Sequence, residues 1–179
     1  MKHLDGTGLK RLHRDWRRRT PDRCAVILDT VQTPYNVGSI IRSGAAYSID
    51  HLWVAGNSES PRHAKTQKTA LGSDRFVEWS EAETTESAIA DAAAAGYRVV
   101  GIELADEAIP IFEADLTGDV CVVVGHEDRG LSKASLEQCD QVAYIPQLGR
   151  IGSLNVAQAT SIALYETRRQ QWSKGATGE

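Results

Sequence analysis

Cysteine is scarce in this chain: Cys24, Cys121 and Cys139 are the only three in 179 residues. None forms a CxxC pair, so neither a zinc site nor a disulfide framework is indicated. Cys24 and Cys121 lie in apolar runs, where a thiol serves as a small core side chain. Long hydrophobic stretches are also missing. No run approaches the roughly 20 apolar residues of a membrane helix, and the polar, basic N-terminus lacks the h-region of a secretory signal. No membrane association is expected, and the cytosol is the expected location.

Familiar catalytic motifs are absent as well. No GxGxxG follows the first apolar run. Gly125-His-Glu-Asp-Arg-Gly130 matches the opening of a phosphate loop, but Leu131 stands where that loop needs lysine and Lys133 is out of register. There is no GxSxG elbow of an α/β hydrolase. His126, Glu127 and Asp128 are adjacent, so their side chains diverge instead of converging on a metal, and no metal site is expected.

What is present fits one soluble domain. The apolar fraction is 41% and the charged fraction 25%, ordinary values for a globular chain. The net charge of −4 conceals an uneven distribution. Residues 1–23 hold eight Lys/Arg against three Asp, a charge of +5, and residues 24–179 hold twelve against twenty-one, a charge of −9. A basic arm on an acidic body suggests a local anionic partner such as nucleic acid. Within the arm, Leu9, Leu12 and Trp16 recur at helical spacing, and Arg11, Arg14, Arg17, Arg18 and Arg19 supply planar forks suited to phosphate oxygens.

From Cys24 onward, short apolar runs alternate with helical patterns. Strands are expected at Ala25–Leu28, Leu52–Val54, Phe76–Trp79, Tyr97–Ile102, Val120–Val124 and Val142–Ile145. Helices are expected at 36–48, 82–95 (stopped by Gly96), 132–139 and 154–172, with an irregular stretch at 103–118. The polar segment 58–75, containing Arg75, is a candidate substrate-facing element. This alternation predicts an α/β fold with a mostly parallel six-stranded sheet and helices on both faces. The expected organisation is a basic arm at 1–22, one domain at 23–172 and a flexible tail at 173–179. Ligands of such sheets bind beyond the carboxyl ends of the strands. Three polar stretches follow strands: 36–44, 125–132 and 145–159. Glycines 125, 130, 149 and 152 let loop backbone come close to a ligand, while Ile145, Leu148 and Leu154 offer apolar walls.

These stretches carry a family resemblance. Asn36-Val-Gly-Ser-Ile-Ile-Arg-Ser-Gly44, Gly125-His-Glu-Asp-Arg-Gly-Leu-Ser132 and Ile145-Pro-Gln-Leu-Gly-Arg-Ile-Gly-Ser-Leu-Asn-Val-Ala157 resemble, in order and spacing, the three motifs of the SpoU/TrmH branch of SPOUT RNA methyltransferases. The basic stretch leading into the first strand is similar to that of the tRNA guanosine 2′-O-methyltransferases. The resemblance implies S-adenosylmethionine as methyl donor, a ribose 2′-hydroxyl of RNA as acceptor, a homodimer assembled through the knotted region, and a deep C-terminal trefoil knot. tRNA is favoured over rRNA, because no separate N-terminal RNA-binding domain is seen. It also implies a catalytic set of Asn36, Arg42, Glu127, Ser153 and Asn155, with Arg42 orienting the ribose and its neighbouring phosphate. Glu127 is expected to bond the third loop or to hold Arg42. The residues expected at the donor are Val124, Gly125, Glu127, Gly130, Ile145, Leu148, Gly149, Ser153 and Leu154. RNA contacts are expected from Arg11, Arg14, Arg17, Arg18, Arg19 and Arg75.

Overall fold

The computed structural model describes residues 2–175, with side chains through residue 173. Its strands are β1 (Cys24–Asp29), β2 (His51–Ala55), β3 (Trp79–Ala82), β4 (Arg98–Ile102), β5 (Ile109–Pro110), β6 (Val120–Val124) and β7 (Gln141–Tyr144). Its helices are α1 (Gly6–Arg18), α2 (Pro34–Tyr47), α3 (Ala64–Ala70), α4 (Thr85–Ala94), α5 (Lys133–Gln138) and α6 (Val156–Gly175). The strand order is β3-β2-β1-β6-β4-β7-β5, and every pair is parallel.

The sheet therefore has seven strands, not six. β5 lies inside the stretch expected to be irregular: two residues, one a proline, are too short to show a period. Pro110 is tolerated because β5 is an edge strand. The third strand begins at Trp79, because Ser73–Phe76 is taken up by a 3-10 turn. The tail begins later than expected, since α6 continues through Gly175; the remainder of the 173–179 segment lies outside the described residues.

β1 and β6 occupy the centre, and every residue of both is buried. That explains why they read as continuous apolar runs without alternation. Val26, Leu28, Val122 and Val124 face α2 and α6, meeting Ile40, Ile41 and Leu164. Ala25, Ile27, Cys121 and Val123 face α4, meeting Ala88, Ile89 and Ala92. Each buried Leu or Ile contributes roughly 1.5–3 kcal/mol. Among the described residues, no helix is long and apolar enough to cross a membrane.

Two contacts fix the chain ends. Arg168 on α6 is 4% exposed. Its guanidinium donates to the carbonyls of Tyr47 (2.9 Å), Asp22 (2.8 Å) and Ser48 (2.7 Å), tying the closing helix to the end of α2 and the approach to β1. The arm helix α1 buries no residue. It docks through Trp16 against Trp172, with ring centroids 4.9 Å apart, while Trp172 Nε1 donates to Thr20 Oγ1 at 2.8 Å. Arg11, Arg14, Arg17, Arg18 and Arg19 are all exposed.

Candidate functional site

At the carboxyl ends of β4, β6 and β7 the following loops enclose a cleft of about 380 Å³. This size lies within the range of small-molecule sites. One wall is the turn after β6. Gly125 carries no side chain because a Cβ there would penetrate the backbone of Gly130 and Leu131. His126 N donates to Gly130 O (3.2 Å) and Gly130 N to His126 O (2.9 Å), closing the turn on itself. Gly130 closes it at φ +66°, a conformation that favours glycine. The close approach these two glycines permit is thus to their own loop and to Glu103, in addition to any ligand. The second wall comes from Ile145, Gln147 and Gly152–Leu154, and the floor from Ile102–Leu104.

Beside the cleft, a chain of hydrogen bonds joins all three sequence motifs. Asn155 Nδ2 donates to Asn36 Oδ1 at 2.9 Å, and Asn36 Nδ2 donates to Glu127 Oε1 at 2.9 Å. Glu127 also accepts from Thr33 N at 3.0 Å and Gln32 N at 3.3 Å. Those two amides reach it because the chain leaves β1 through Thr30 at φ +58°. That backbone state costs a non-glycine residue roughly 1–2 kcal/mol. Burial opposes ionisation of Glu127, but the hydrogen bonds from Asn36, its own backbone and Thr33 outweigh it and hold its pKa down to about 2. Glu127 is an ionised acceptor at neutral pH. The network leaves Asn36 only one orientation, since its amide donates to a carboxylate and accepts from Asn155.

Several expectations about these residues change. Glu127 bonds the first motif, not the third loop or Arg42. Thr33, not a motif residue, is the N-cap of α2. Asn155 also caps α6, its Oδ1 accepting from Ala157 N (3.0 Å) and Gln158 N (3.3 Å). Arg42 is exposed on α2 and does not line the cleft; among the described residues it forms no ion pair with Glu127. Of the residues expected at the donor, Val124, Gly125, Glu127, Gly130, Ile145, Ser153 and Leu154 line the cleft. Leu148 and Gly149 do not: Leu148 is 104% exposed and Gly149 has only Ile151 nearby. Arg75 is exposed beside Phe76.

Ile102, Glu103, Leu104 and Gln147 line the cleft without having been anticipated. Ile102 ends β4 and Glu103 and Leu104 follow it, and only the strand order, with β4 between β6 and β7, brings them there. Gln147 sits within the third motif, where no spacing rule distinguishes it. Its Oε1 is buried and has no hydrogen-bond partner. Among the described residues, no group of three or more His, Cys, Asp or Glu is arranged to hold a metal ion.

Comparison with known proteins places this arrangement. The model of the SpoU rRNA methylase family matches residues 23–165. The chain is 37% identical over 145 residues to a 23S rRNA (guanosine-2′-O-)-methyltransferase, RlmB, of Acinetobacter baylyi, covering 80% of the chain and 58% of that relative. It is 31% identical over 161 residues to the tRNA (guanosine(18)-2′-O)-methyltransferase of Escherichia coli K12, covering 88% and 68% respectively. The fold superposes with a TM-score of 0.78 on an AdoMet-bound rRNA methyltransferase from Sinorhizobium meliloti, at 32% identity, covering 84% of this chain and 57% of that one. The chain thus spans little more than half the length of the first and third of these.

Proposed function

The chain belongs to the SpoU rRNA methylase family, and from that premise we propose that it transfers a methyl group from S-adenosylmethionine to a ribose 2′-hydroxyl of a structured RNA, with tRNA as the leading substrate. The observation that carries this reading is the Asn155–Asn36–Glu127 chain, which locks the three family motifs together beside the cleft. The cleft suits the methyl donor. Ile102, Val124, Ile145 and Leu154 offer apolar contact, and the buried, unpartnered Gln147 Oε1 offers an acceptor for a donor group such as an exocyclic amine. The AdoMet bound by the S. meliloti relative supports the same choice.

S-adenosylmethionine supplies an electrophilic methyl carbon on a sulfonium: the ribose oxygen takes the methyl as the S–C bond breaks, leaving a neutral thioether, and the 2′-hydroxyl proton is released to water. The chain's own part is positioning. The braced turn at 125–130 and residues 152–154 hold the donor from two sides. Asn155 and Asn36 fix the third loop against α2, so that Ser153 at the cleft rim sits beside the acceptor. Arg42, about 9 Å along α2 from Asn36 by helical rise, orients the ribose through the adjoining phosphate. A guanidinium is a poor base, so the contribution of Arg42 is to hold the oxygen in line with the methyl carbon.

The same reading includes the remaining features of the resemblance. The segment 145–155 threads a loop to form the deep trefoil knot, in support of which α6 returns from β7 to pack on α2 and is tied there by Arg168. A second copy covers the exposed Ile162 and Tyr165 of α6 in a homodimer. The arginines of the arm, with Arg75, contact RNA phosphates, and the enzyme works in the cytoplasm, where its RNA is found. rRNA is the second reading, favoured by the 37% identity to a 23S rRNA enzyme.

One experiment separates these outcomes: mapping ribose methylation across total RNA from cells with and without the protein, alongside labelled methyl transfer by the purified protein. A new mark in tRNA supports the leading reading and a mark in 23S rRNA the second. No mark in either, with no transfer in vitro, overturns both. Arg42→Ala should lower transfer by at least about 100-fold with donor binding retained, the size expected for a lost positioning group.

A further inference from the structure

Glu103 lies outside the three family motifs, yet the loops walling the cleft converge on it. Its backbone N–H donates to Ala143 O of β7 at 3.0 Å. Its carboxylate accepts from Leu131 N, at the end of the β6 turn, through Oε2 at 2.9 Å, and from Leu104 N, in its own loop, through Oε1 at 2.9 Å. Gly130 lies flat against the same carboxylate, so that a Cβ there would collide with it. The Leu131 side chain is 5% exposed and packs against the opposite face of the sheet from the cleft-side helices, so its backbone is anchored at one end by packing and at the other by Glu103. Glu103 itself lines the cleft. An ionised carboxylate has two acceptor oxygens and no donor, which matches two amide donors from two different loops.

We propose that Glu103 is a positioning residue for the methyl donor: by accepting from Leu131 and Leu104 it fixes the β6 turn against the β4 loop and so sets how tightly the cleft grips its ligand. The proposal rests on the methyl-donor reading of the cleft. A side chain serving only to fill space could be apolar at this point. Such a residue would leave the part-buried Leu131 amide without its acceptor beside the ligand, and the Leu104 amide to water. Glutamine is a sharper substitution. It keeps the shape but brings an NH₂ to one of the two amide donors, so one contact becomes donor against donor.

The test measures binding of S-adenosylmethionine and S-adenosylhomocysteine to Glu103→Gln, Glu103→Ala and Glu103→Asp, with melting temperature, methyl transfer to tRNA and amide exchange at Leu104 and Leu131. Glu103→Gln should weaken donor binding about tenfold, the equivalent of 1.4 kcal/mol. Glu103→Ala should weaken it further, and Glu103→Asp, which reaches one amide, should recover part of the loss. The rate at saturating donor should stay within about threefold of the parent, and the Leu131 amide should exchange faster in the alanine variant. Unchanged donor affinity in folded Gln and Ala variants overturns the proposal. So does a fall in melting temperature that lowers donor and RNA affinity in step. If the parent protein binds neither ligand, the methyltransferase reading fails instead; an unprotected Leu131 amide in that parent would overturn the bracing as well.

Discussion

Two walls face each other across one cleft and are built in opposite ways. The β6 turn is closed on itself by two backbone hydrogen bonds between His126 and Gly130, is held by Glu103 and leads into the buried Leu131. The wall at 147–153 has little of this. Leu148 and Ile151 project into solvent, and a Cβ at Gly152 would meet nothing within 4 Å. Only its ends are fixed: Ile145 packs on the core, and Asn155 caps α6 and bonds Asn36. A wall whose backbone donors and acceptors are already paired holds one geometry before any ligand arrives. A wall with exposed apolar side chains and unfilled space gains its contacts from whatever enters the cleft. The contrast assigns pre-organisation to the first wall, and predicts that any contacts the second makes at 148–151 depend on a ligand.

The sharpest way to break this contrast is to add one methyl group to each wall. Gly125→Ala forces a Cβ into the backbone of Gly130 and Leu131, which cannot yield as a flexible side chain would. A loss of at least about 3 kcal/mol in unfolding free energy is expected, or failure to fold. Gly152→Ala meets open space and should stay within about 0.5 kcal/mol of the parent. Urea unfolding of both variants decides it. Similar losses would mean that the two walls are equally constrained.

A smaller effect should come from Glu127, which ties the braced wall to α2. Its pKa is held at about 2 against an ordinary 4.5. Because the folded-state value is depressed, the stabilisation is fully present above about pH 4.5 and is lost as pH falls toward 2. Glu127→Gln places an NH₂ among the amide donors of Gln32, Thr33 and Asn36. It should cost about 1–3 kcal/mol at pH 7. The stability difference from the parent should narrow as pH falls from 4.5 to 2, read from urea midpoints at several pH values. A pH-independent difference would show that ionisation of Glu127 does not brace the turn.

The two walls also differed in how far the sequence revealed them. The strands beneath them were legible because parallel strands buried on both faces appear as unbroken apolar runs, as at Val120–Val124. The co-occurrence of Asn36, Glu127 and Asn155 pointed to one site, and their hydrogen-bond chain joins them. The partners within that site were not legible. Glu127 turned to Asn36 instead of Arg42 because the strained exit at Thr30 aims two amides at it, and backbone strain leaves no mark in a sequence. Glu103 was missed because its importance arises from strand order alone. Leu148 was expected to wall the donor from its apolar character, but whether a loop side chain faces the cleft depends on packing, and nothing in the unliganded chain holds it inward.

Leu148 therefore provides the finest test, and the smallest effect on the protein alone. With its side chain fully in solvent, Leu148→Ser should change unliganded stability by no more than about 0.5 kcal/mol. If the open wall closes on the methyl donor, the same substitution removes apolar contact from the bound state only. A ligand at 100 times its Kd stabilises a fold by about 2.7 kcal/mol, so thermal unfolding with and without S-adenosylmethionine resolves even a modest weakening. The expected result is an unchanged melting temperature without donor and a smaller donor-induced rise in the variant than in the parent. An equal rise would mean that Leu148 stays in water throughout and that the open wall does not close at this residue. Donor retention would then depend on the braced wall and on Ile145 and Leu154, which line the cleft before any ligand is bound.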